Sequence, residues 1–589
     1  MCGIFGYFGK DENTVDFQHV KKMGDTIDYR GPDGQGIFNS GGVALGNQRL
    51  AILDLEHGQQ PFISDDGKIV VVQNGEIFNH VEIASELQNT PFKCKTHCDT
   101  EVILRLYERD GISFISKLNG MFAIAIYDGN KDELYLIRDR VGEKPLYYYK
   151  DESMVAFGSE IKSILALGVK KIVNYSAIDT FLTFNYVPSP MTMFENIFHV
   201  QPGKYLSIRR NNVSENTWWD LSSISVCNKS ESDWISLFNK TLDEAVRIRL
   251  RSDVPFGAFL SGGVDSSTVV GIMSQHMTQP VKTFSIGFHD ERFDESVFAQ
   301  SAATRFETEH VMEKVESNLL SLWPKVTYHC DQPHGDVSFM PTLRVAQLAA
   351  EQVKMVLTGD GADELFAGYD KYKTFFTEEI DALDEHSFRE RYIKNISLFD
   401  KNTKLNLYSE GLIERVDLNL SSKLMSAIFE QASGFDRINQ ALYIDTTLLL
   451  SGNNLVKPDR MGMAVSIENR APFLDYNMIE LAFSMPGDLK LRNGETKYIY
   501  KLAVKNLIGD ELTYRKKQMF TVPISDWLKN ELKPLVVDLL FSEKATSRSL
   551  FNVDVVQKIY FDHCEGVSNY TREIRALMAL EIWFRTFID

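Results

Sequence analysis

The feature that most restricts how this 589-residue chain can fold is a junction near its middle. Residues 254–260 form an apolar run of strand length, followed at once by Ser261-Gly262-Gly263-Val264-Asp265-Ser266-Ser267. The two glycines permit a turn at backbone angles other residues avoid. From Val264 onward the chain reads as the start of a helix. A buried strand feeding a small-residue turn and a helix N-terminus presents outward N–H groups and the positive end of a helix dipole, a combination that holds an anion. The Gly-Lys-Ser/Thr ending of a Walker loop is missing. An acid, Asp265, stands instead beside the hydroxyls of Ser261, Ser266 and Ser267. A carboxylate next to a phosphate cradle points to bound Mg²⁺. A bare Ser-Gly-Gly is an ordinary turn; the full run behind an apolar strand is far more specific.

The surrounding chain alternates helix and strand. Residues 232–251 have helical spacing, a helix runs from the loop to about 276, and 281–288 read as a strand. Phe293-Asp294-Glu295-Ser296 opens a helix through 306, and 354–358 form a third strand. That strand leads into Gly359-Asp360-Gly361-Ala362-Asp363-Glu364. Alternation of this kind predicts a doubly wound parallel sheet, which binds ligands at the carboxyl ends of its strands, where both loops fall. The acidic loop lacks calcium-loop spacing. Asp265 and Asp363 can share a metal on a pyrophosphate, with Asp360 nearer an acyl group. Beyond 365 the chain reads as almost wholly helical.

The length predicts two or more domains. A net charge of −18 argues against nucleic acid as the main partner. No apolar run reaches membrane-spanning length, and the N-terminus has neither the basic region nor the apolar stretch of a signal peptide. The six cysteines are scattered, which predicts reduced thiols in a cytoplasmic protein. Cys94, His97 and Cys98 fall short of the four ligands of structural zinc.

In the first half, 4–8, 43–53, 69–73, 121–127 and 133–138 read as strands, the last two as a hairpin closed by Asp128-Gly129-Asn130. Helices are expected over 15–27, 81–87 and 100–110, an α+β pattern. Cys2 has chemical promise. Once Met1 is removed, its own α-amine, ordinarily titrating near ~7.7–8.0, can act as the base that activates the thiol. Four segments add weight: Arg30-Gly31-Pro32-Asp33, Arg49-Leu50-Ala51-Ile52, Gln73-Asn74-Gly75-Glu76, and Cys98-Asp99-Thr100-Glu101 with an acid at a helix N-cap. A punctuated stretch at 181–190 and the polar run 209–233 place a linker near 210, dividing the chain into 2–210 and 211–589.

With Cys2-Gly3-Ile4-Phe5-Gly6, those four segments resemble the glutaminase domain of N-terminal-nucleophile amidotransferases, a layered αββα fold. The resemblance implies that Cys2 attacks the glutamine amide. It implies that Asn74 and the Gly75 N–H hold the oxyanion, that Arg49 pairs with the α-carboxylate, and that Glu76 and Asp99 meet the α-ammonium. The loop at 260–267 resembles that of ATP pyrophosphatases. Both loops and Cys2 in one chain are similar to glutamine-dependent asparagine synthetases. Asp331-Gln332-Pro333, Arg470-Ala471-Pro472-Phe473-Leu474-Asp475, Lys497 and Arg515-Lys516-Lys517 support that likeness along nearly the whole chain. The family implies that ATP and Mg²⁺, held by Asp265 and Asp363, adenylate aspartate, releasing AMP and pyrophosphate. Lys497 counters phosphate charge, Leu260, Ile286, Thr358 and Gly359 line the nucleotide pocket, and Asp360 acts near the acyl group. Residues 138–147 and 157–160 border an ammonia tunnel, and a homodimer is expected. Three places depart from the pattern: Asp360 for Glu, Asn453 to Lys457 where a carboxylate and an arginine are expected, and Gln332 for Glu. They leave open a different acceptor, such as a sugar uronate or a peptide acid. A cyclising synthetase of the same fold lacks the nucleophile that Cys2 supplies.

Overall fold

The strand Cys2–Gly9 is buried along its whole length because both its faces are covered. Ile4 and Phe8 enter a core shared with Val70, Val72 and Leu136 of a second sheet. Phe5 and Tyr7, on the opposite face, pack with Val20 and Met23 of the helix Phe17–Asp25. In the computed structural model, which describes residues 2–11, 15–210, 212–289, 294–315, 317–515 and 524–589, this strand lies inside a six-stranded sheet. Its neighbours are Met154–Gly158 and Val43–Arg49, both antiparallel. The second six-stranded sheet contains Ile69–Ile77, Gly120–Asp128 and Glu133–Arg138. The helix Asp99–Asp110 covers its outer face through Val102, Ile103 and Leu106. Helix, sheet, sheet and helix form the expected αββα layers. Phe293, Lys516 and Lys517 lie outside the described residues.

Two sequence expectations change here. The strand expected over 43–53 stops at Arg49, because the Arg49 guanidinium donates to the carbonyls of Leu53, Asp54 and Leu55 and folds the chain back over itself. The linker expected near 210 is instead a hairpin: Lys204–Arg209 pairs with Asn212–Thr217, extending the second sheet to Thr217. That last strand reads Asn-Val-Ser-Glu-Asn-Thr and is exposed or half-buried. An edge strand of this polarity carries no apolar alternation to read. The adjacent tryptophans part company. Trp218 stacks on Phe122 in the first half, whereas the Trp219 indole N–H donates to Glu480 Oε1 at 3.1 Å in the second.

The second half contains a five-stranded sheet in which every pairing is parallel. In spatial order its strands are Glu309–Val315, Lys282–Phe288, Phe256–Phe259, Met355–Leu357 and Glu468–Arg470. The chain winds outward from Phe256–Phe259 and then returns to its other side. The order therefore reverses between Phe256–Phe259 and Met355–Leu357, the crevice where such sheets bind ligands. Two strands escaped the sequence reading. Glu309–Val315 is a mostly polar edge, and Glu468–Arg470 is three buried polar or charged residues inside a region otherwise helical.

The halves share their cores. Leu50, Ile52, Phe78 and Met121 cluster with Trp234, Leu260 and Phe366, and Phe5 clusters with Phe284 and Trp583. Among the described residues no helix is long and apolar enough to cross a membrane. At the junction Asp475 accepts from Arg249 Nη1 at 2.8 Å and from Asn119 Nδ2 at 3.0 Å. Burial alone would raise its carboxyl; Arg249 outweighs that and holds it below the usual value. Its contribution to stability is therefore present at neutral pH and is lost as pH falls through the lowered pKa. Asp475→Ala strands a buried guanidinium and is expected to cost about 3–5 kcal/mol, read as a lowered urea midpoint at pH 7. An unchanged midpoint would show that Arg249 finds another partner.

Candidate active site

Strand pairing sets Cys2 opposite Arg49 at the end of the first sheet. One pocket there is lined by Cys2, Arg49, Gly75, Glu76 and Asp99, five of the six residues expected at the glutamine site. The sixth, Asn74, is fully buried: its Oδ1 accepts from the Cys2 N–H at 3.1 Å, and its Nδ2 reaches Ser159 Oγ at 3.4 Å. Gly75 has φ +143, and a Cβ there would lie 2.0 Å from the Met121 carbonyl oxygen. Only glycine fits, and its N–H stays bare of a side chain. Asp99 is the first residue of its helix rather than the cap, which is Cys98. Its carboxylate instead accepts from Gln73 Nε2 at 3.0 Å and from the Ile77 N–H at 2.9 Å, tying the helix to the strand that bears Asn74 and Gly75. Burial pushes the Cys2 thiol up, against the lowering by nearby positive charge and hydrogen bonds. Burial and Asp99 push Glu76 well above the usual carboxylate range, opposed by Arg470 at 3.1 Å.

The second cluster sits at the reversal point of the parallel sheet. Gly262, at φ +71, turns the chain against the helix Ser296–Arg305, where a Cβ would meet the Phe298 carbonyl carbon at 2.3 Å. Ser266 Oγ stands 3.1 Å from Ser261 Oγ and accepts from the Ser261 N–H, so the two hydroxyls brace the loop. Gly263 caps the helix Val264–His276. The Ser267 hydroxyl is buried without a protein partner among the described residues. Leu260, Thr358 and Gly359 follow two neighbouring strands and Ile286 lies in the carboxyl-terminal half of a third, so they gather toward the same end of the sheet. Gly359 is packed on Asp265, whose Cβ would lie 2.7 Å from an added methyl.

Asp265 and Asp363, about a hundred residues apart, converge on Lys497. Its Nζ lies 2.5 and 2.7 Å from the Asp265 oxygens and 2.7 Å from Asp363 Oδ1. Burial would lower the ammonium; the two carboxylates outweigh it and raise it. Gly368 makes room, since a Cβ there would fall 1.9 Å from Asp363 and 2.2 Å from Lys497 Cε. Asp360 faces away, into a cavity lined also by Glu143, Lys144, Thr358, Leu455, Pro458, Asp459, Asn469 and Ala471. Both halves contribute to that cavity. Burial raises Asp360, with Lys457 opposing, and burial with Asp139 pushes Glu143 up to about 8.

Residues 237–585 match the family model for asparagine synthase, and 1–219 match that for a glutamine amidotransferase domain. The chain belongs to the glutamine-hydrolysing asparagine synthetase family. It is 31% identical over 623 residues to asparagine synthetase [glutamine-hydrolyzing] 1 of Bacillus subtilis, covering 100% of this chain and 97% of that one. A putative asparagine synthetase 2 of Methanocaldococcus jannaschii is 37% identical over 397 residues, 63% of this chain and 76% of its own. The amidase chyE of Penicillium rubens is 30% identical over 640 residues, 95% of this chain and 94% of its own.

For an asparagine synthetase family member, the departures from pattern fall in two groups. Gln332 is turned to the first half, accepting from the Met193 N–H at 3.1 Å, so it does not face an acceptor. Lys457 is close enough to Asp360 to oppose its rise, and Asn453 and Asn454 precede it in the chain. Asn453 Oδ1 lies 3.1 Å from His334 Nδ1, Asn454 donates to Glu364 Oε1 at 2.5 Å, and Lys457 reaches Ser338 Oγ at 3.2 Å. They ride on a π-helical stretch, Asp445–Asn454, followed by the helix Val456–Met463. Such stretches are frequent at functional sites. Two residues had no role assigned from sequence. Arg515 bonds Glu295 at 2.6 Å beside the 261–267 loop and keeps its Nε and Nη1 free of protein partners among the described residues. Arg470 joins Glu76. Arg515 sat in a recognised basic run; nothing local marked Arg470.

Gly75→Ala would drive a Cβ to 2.0 Å from the Met121 carbonyl oxygen and displace the strand beside Cys2; it is expected to lower glutamine hydrolysis at least ~10²-fold while ammonia-driven activity persists. Alkylation of Cys2 by iodoacetamide is expected to keep rising with pH through the neutral range, because the thiol is raised and only the thiolate reacts. A plateau below pH 7 would contradict a raised thiol.

Proposed function

We propose that the protein amidates the side-chain carboxylate of aspartate, using glutamine as nitrogen source and ATP as activator. In the first site the Cys2 sulfur, its proton taken by the residue's own α-amine after removal of Met1, adds to the glutamine side-chain carbonyl. Asn74 and the Gly75 N–H stabilise the oxyanion. Collapse expels ammonia and leaves a thioester, and water then releases glutamate. Arg49 holds the substrate α-carboxylate; Glu76 and Asp99 hold its α-ammonium.

In the second site a carboxylate oxygen attacks the α-phosphorus of ATP and pyrophosphate leaves. Ammonia attacks the acyl carbon of the adenylate, and AMP departs with asparagine formed. The observation that carries this reading is the convergence of Asp265, Asp363 and Lys497 at the reversal point of the sheet, beside the 261–267 loop. Two carboxylates directed at one point are hard oxygen donors of the kind Mg²⁺ uses together with phosphate oxygens and water. Bound there, Mg²⁺ would neutralise charge on the leaving pyrophosphate. Lys497 and Arg515 supply fixed positive charge to the same phosphates. Ammonia would reach the acyl group through the cavity that Glu143 and Lys144 of the first half line together with Asp360. Lys457 offers a cation to the aspartate α-carboxylate, and Asp336, held ionised against its burial chiefly by Lys457, offers an anion to the α-ammonium.

A second reading is favoured by the segment Asn453 to Lys457, where Asn and Lys stand in place of the expected carboxylate and arginine, and by a relative of similar identity called an amidase. In it the same machinery amidates another carboxylate. Mass spectrometry of products formed from ATP, glutamine and a panel of acids decides. Asparagine and AMP in equal amounts with aspartate support the first reading; AMP formed only with another acid replaces it. Cys2→Ala is expected to abolish synthesis from glutamine and to keep synthesis from ammonium salts. Equal loss of both would contradict two separate sites.

A further inference from the structure

We propose that Arg470, a residue of the second-half sheet, is a positioning residue for glutamine: it grips one oxygen of Glu76 and so presents the other to the substrate's α-ammonium. The inference rests on the glutaminase reading of the first site and is independent of which acid is amidated.

Arg470 is fully buried at the end of the strand Glu468–Arg470. Every arm of its fork is assigned. Nε donates to Glu468 Oε1 at 2.5 Å, Nη1 to the carbonyls of Arg249 and Arg251 at 2.9 and 2.7 Å, and Nη2 to Glu76 Oε2 at 3.1 Å. Two main-chain oxygens and a carboxylate of the second half therefore fix the plane of the guanidinium before Glu76 is considered. A planar fork held in this way orients its remaining partner in direction as well as in charge. Glu76 Oε1 has no protein partner among the described residues, and Glu76 lines the pocket of Cys2 and Arg49. A buried carboxyl oxygen left without a partner is costly; burial and Asp99 hold the Glu76 carboxyl up while no cation meets that oxygen among the described residues, and a substrate ammonium is the cation that would ionise the carboxyl and take up that oxygen. Asp99 cannot supply the donor, because its carboxylate is itself an acceptor from Gln73 and Ile77.

The same residue reaches the other site through its backbone. The Arg470 carbonyl accepts from the Thr358 N–H at 2.9 Å, at the start of the loop bearing Asp360 and Asp363. Substituting the side chain leaves that carbonyl in place, so the two connections can be separated.

The test uses the full-length enzyme with Arg470→Gln, Arg470→Lys and Glu76→Gln. Glutamate release from glutamine is measured without an acceptor, and pyrophosphate release is measured with ATP, aspartate and ammonium chloride. Arg470→Gln is expected to raise KM for glutamine roughly tenfold or more with kcat changed by less than about threefold, the signature of lost substrate binding. Ammonia-driven pyrophosphate release should stay within about twofold, since that route bypasses the pocket. Arg470→Lys should recover part of the KM. An unchanged KM, or equal loss in both assays, would overturn the proposal. Should Arg470→Gln fail to fold, the Arg470→Lys/Glu76→Gln double variant decides. A KM within about twofold of Glu76→Gln alone supports action through Glu76, whereas multiplied effects refute it. The glutamate assay needs no acceptor, so it stands even if aspartate proves not to be the acid.

Discussion

Arg30 is fully buried, donates to Glu160 at 2.9 Å in its own half, and crosses to Asp459 at 3.0 and 3.2 Å in the other. Arg460 returns the exchange by pairing with Glu160 at 2.9 Å. Lys162 meets Asp331 at 2.8 Å, and Asp331 also accepts from the Ile161 N–H. Charges taken out of water cost several kcal/mol each unless partners with good geometry repay them. Here Arg30, Glu160 and Lys162 pair within the first half, and Asp459, Asp331 and Arg460 of the second complete the set. Such a seam does not tolerate sliding, because a small displacement would strand several ions at once.

The seam also determines what the two sites share. Arg30 Nε donates to the Cys2 carbonyl at 3.2 Å, and Asp459 lies two residues from Lys457 on one helix. On the opposite flank, Asp253 accepts from the Asp54 N–H at 2.8 Å, next to the carbonyls that Arg49 holds. Asp253 is three residues ahead of the strand Phe256–Phe259 that leads into the phosphate loop. The pocket at Cys2 is thus built on first-half strands but braced by second-half segments that run directly to the two glycine-rich loops at the carboxyl end of the parallel sheet.

What could be read from sequence divides along physical lines. The two glycine-rich loops and the N-terminal cysteine could be picked out as candidates because their signal is local: Ser261 to Ser267 and Gly359 to Asp363 each contain their own turn residues and acids. The αββα layers and the parallel sheet were legible where burial is one- or two-sided and apolar, as in Cys2–Gly9 and Lys282–Phe288. Glu468–Arg470 was not, because its buried residues are polar or charged and their partners are hundreds of residues away. Asn212–Thr217 was missed for the opposite reason: an exposed edge needs no apolar residue at all. Gln332 looked like an acceptor-site substitution and is an interface residue, a distinction that only the fold can make.

The strand Glu468–Arg470 joins its sheet last in chain order, some four hundred residues after Glu76. Domains fold as they emerge during synthesis, N-terminal ones first. The layered first half can therefore assemble early, with its nucleophile already seated opposite Arg49. The amine subsite proposed at Glu76 would stay unbraced until Arg470 has left the ribosome and docked. A nascent chain would then hold glutamine poorly during the interval in which it has no place to send ammonia, and the order of synthesis itself would guard against wasteful hydrolysis.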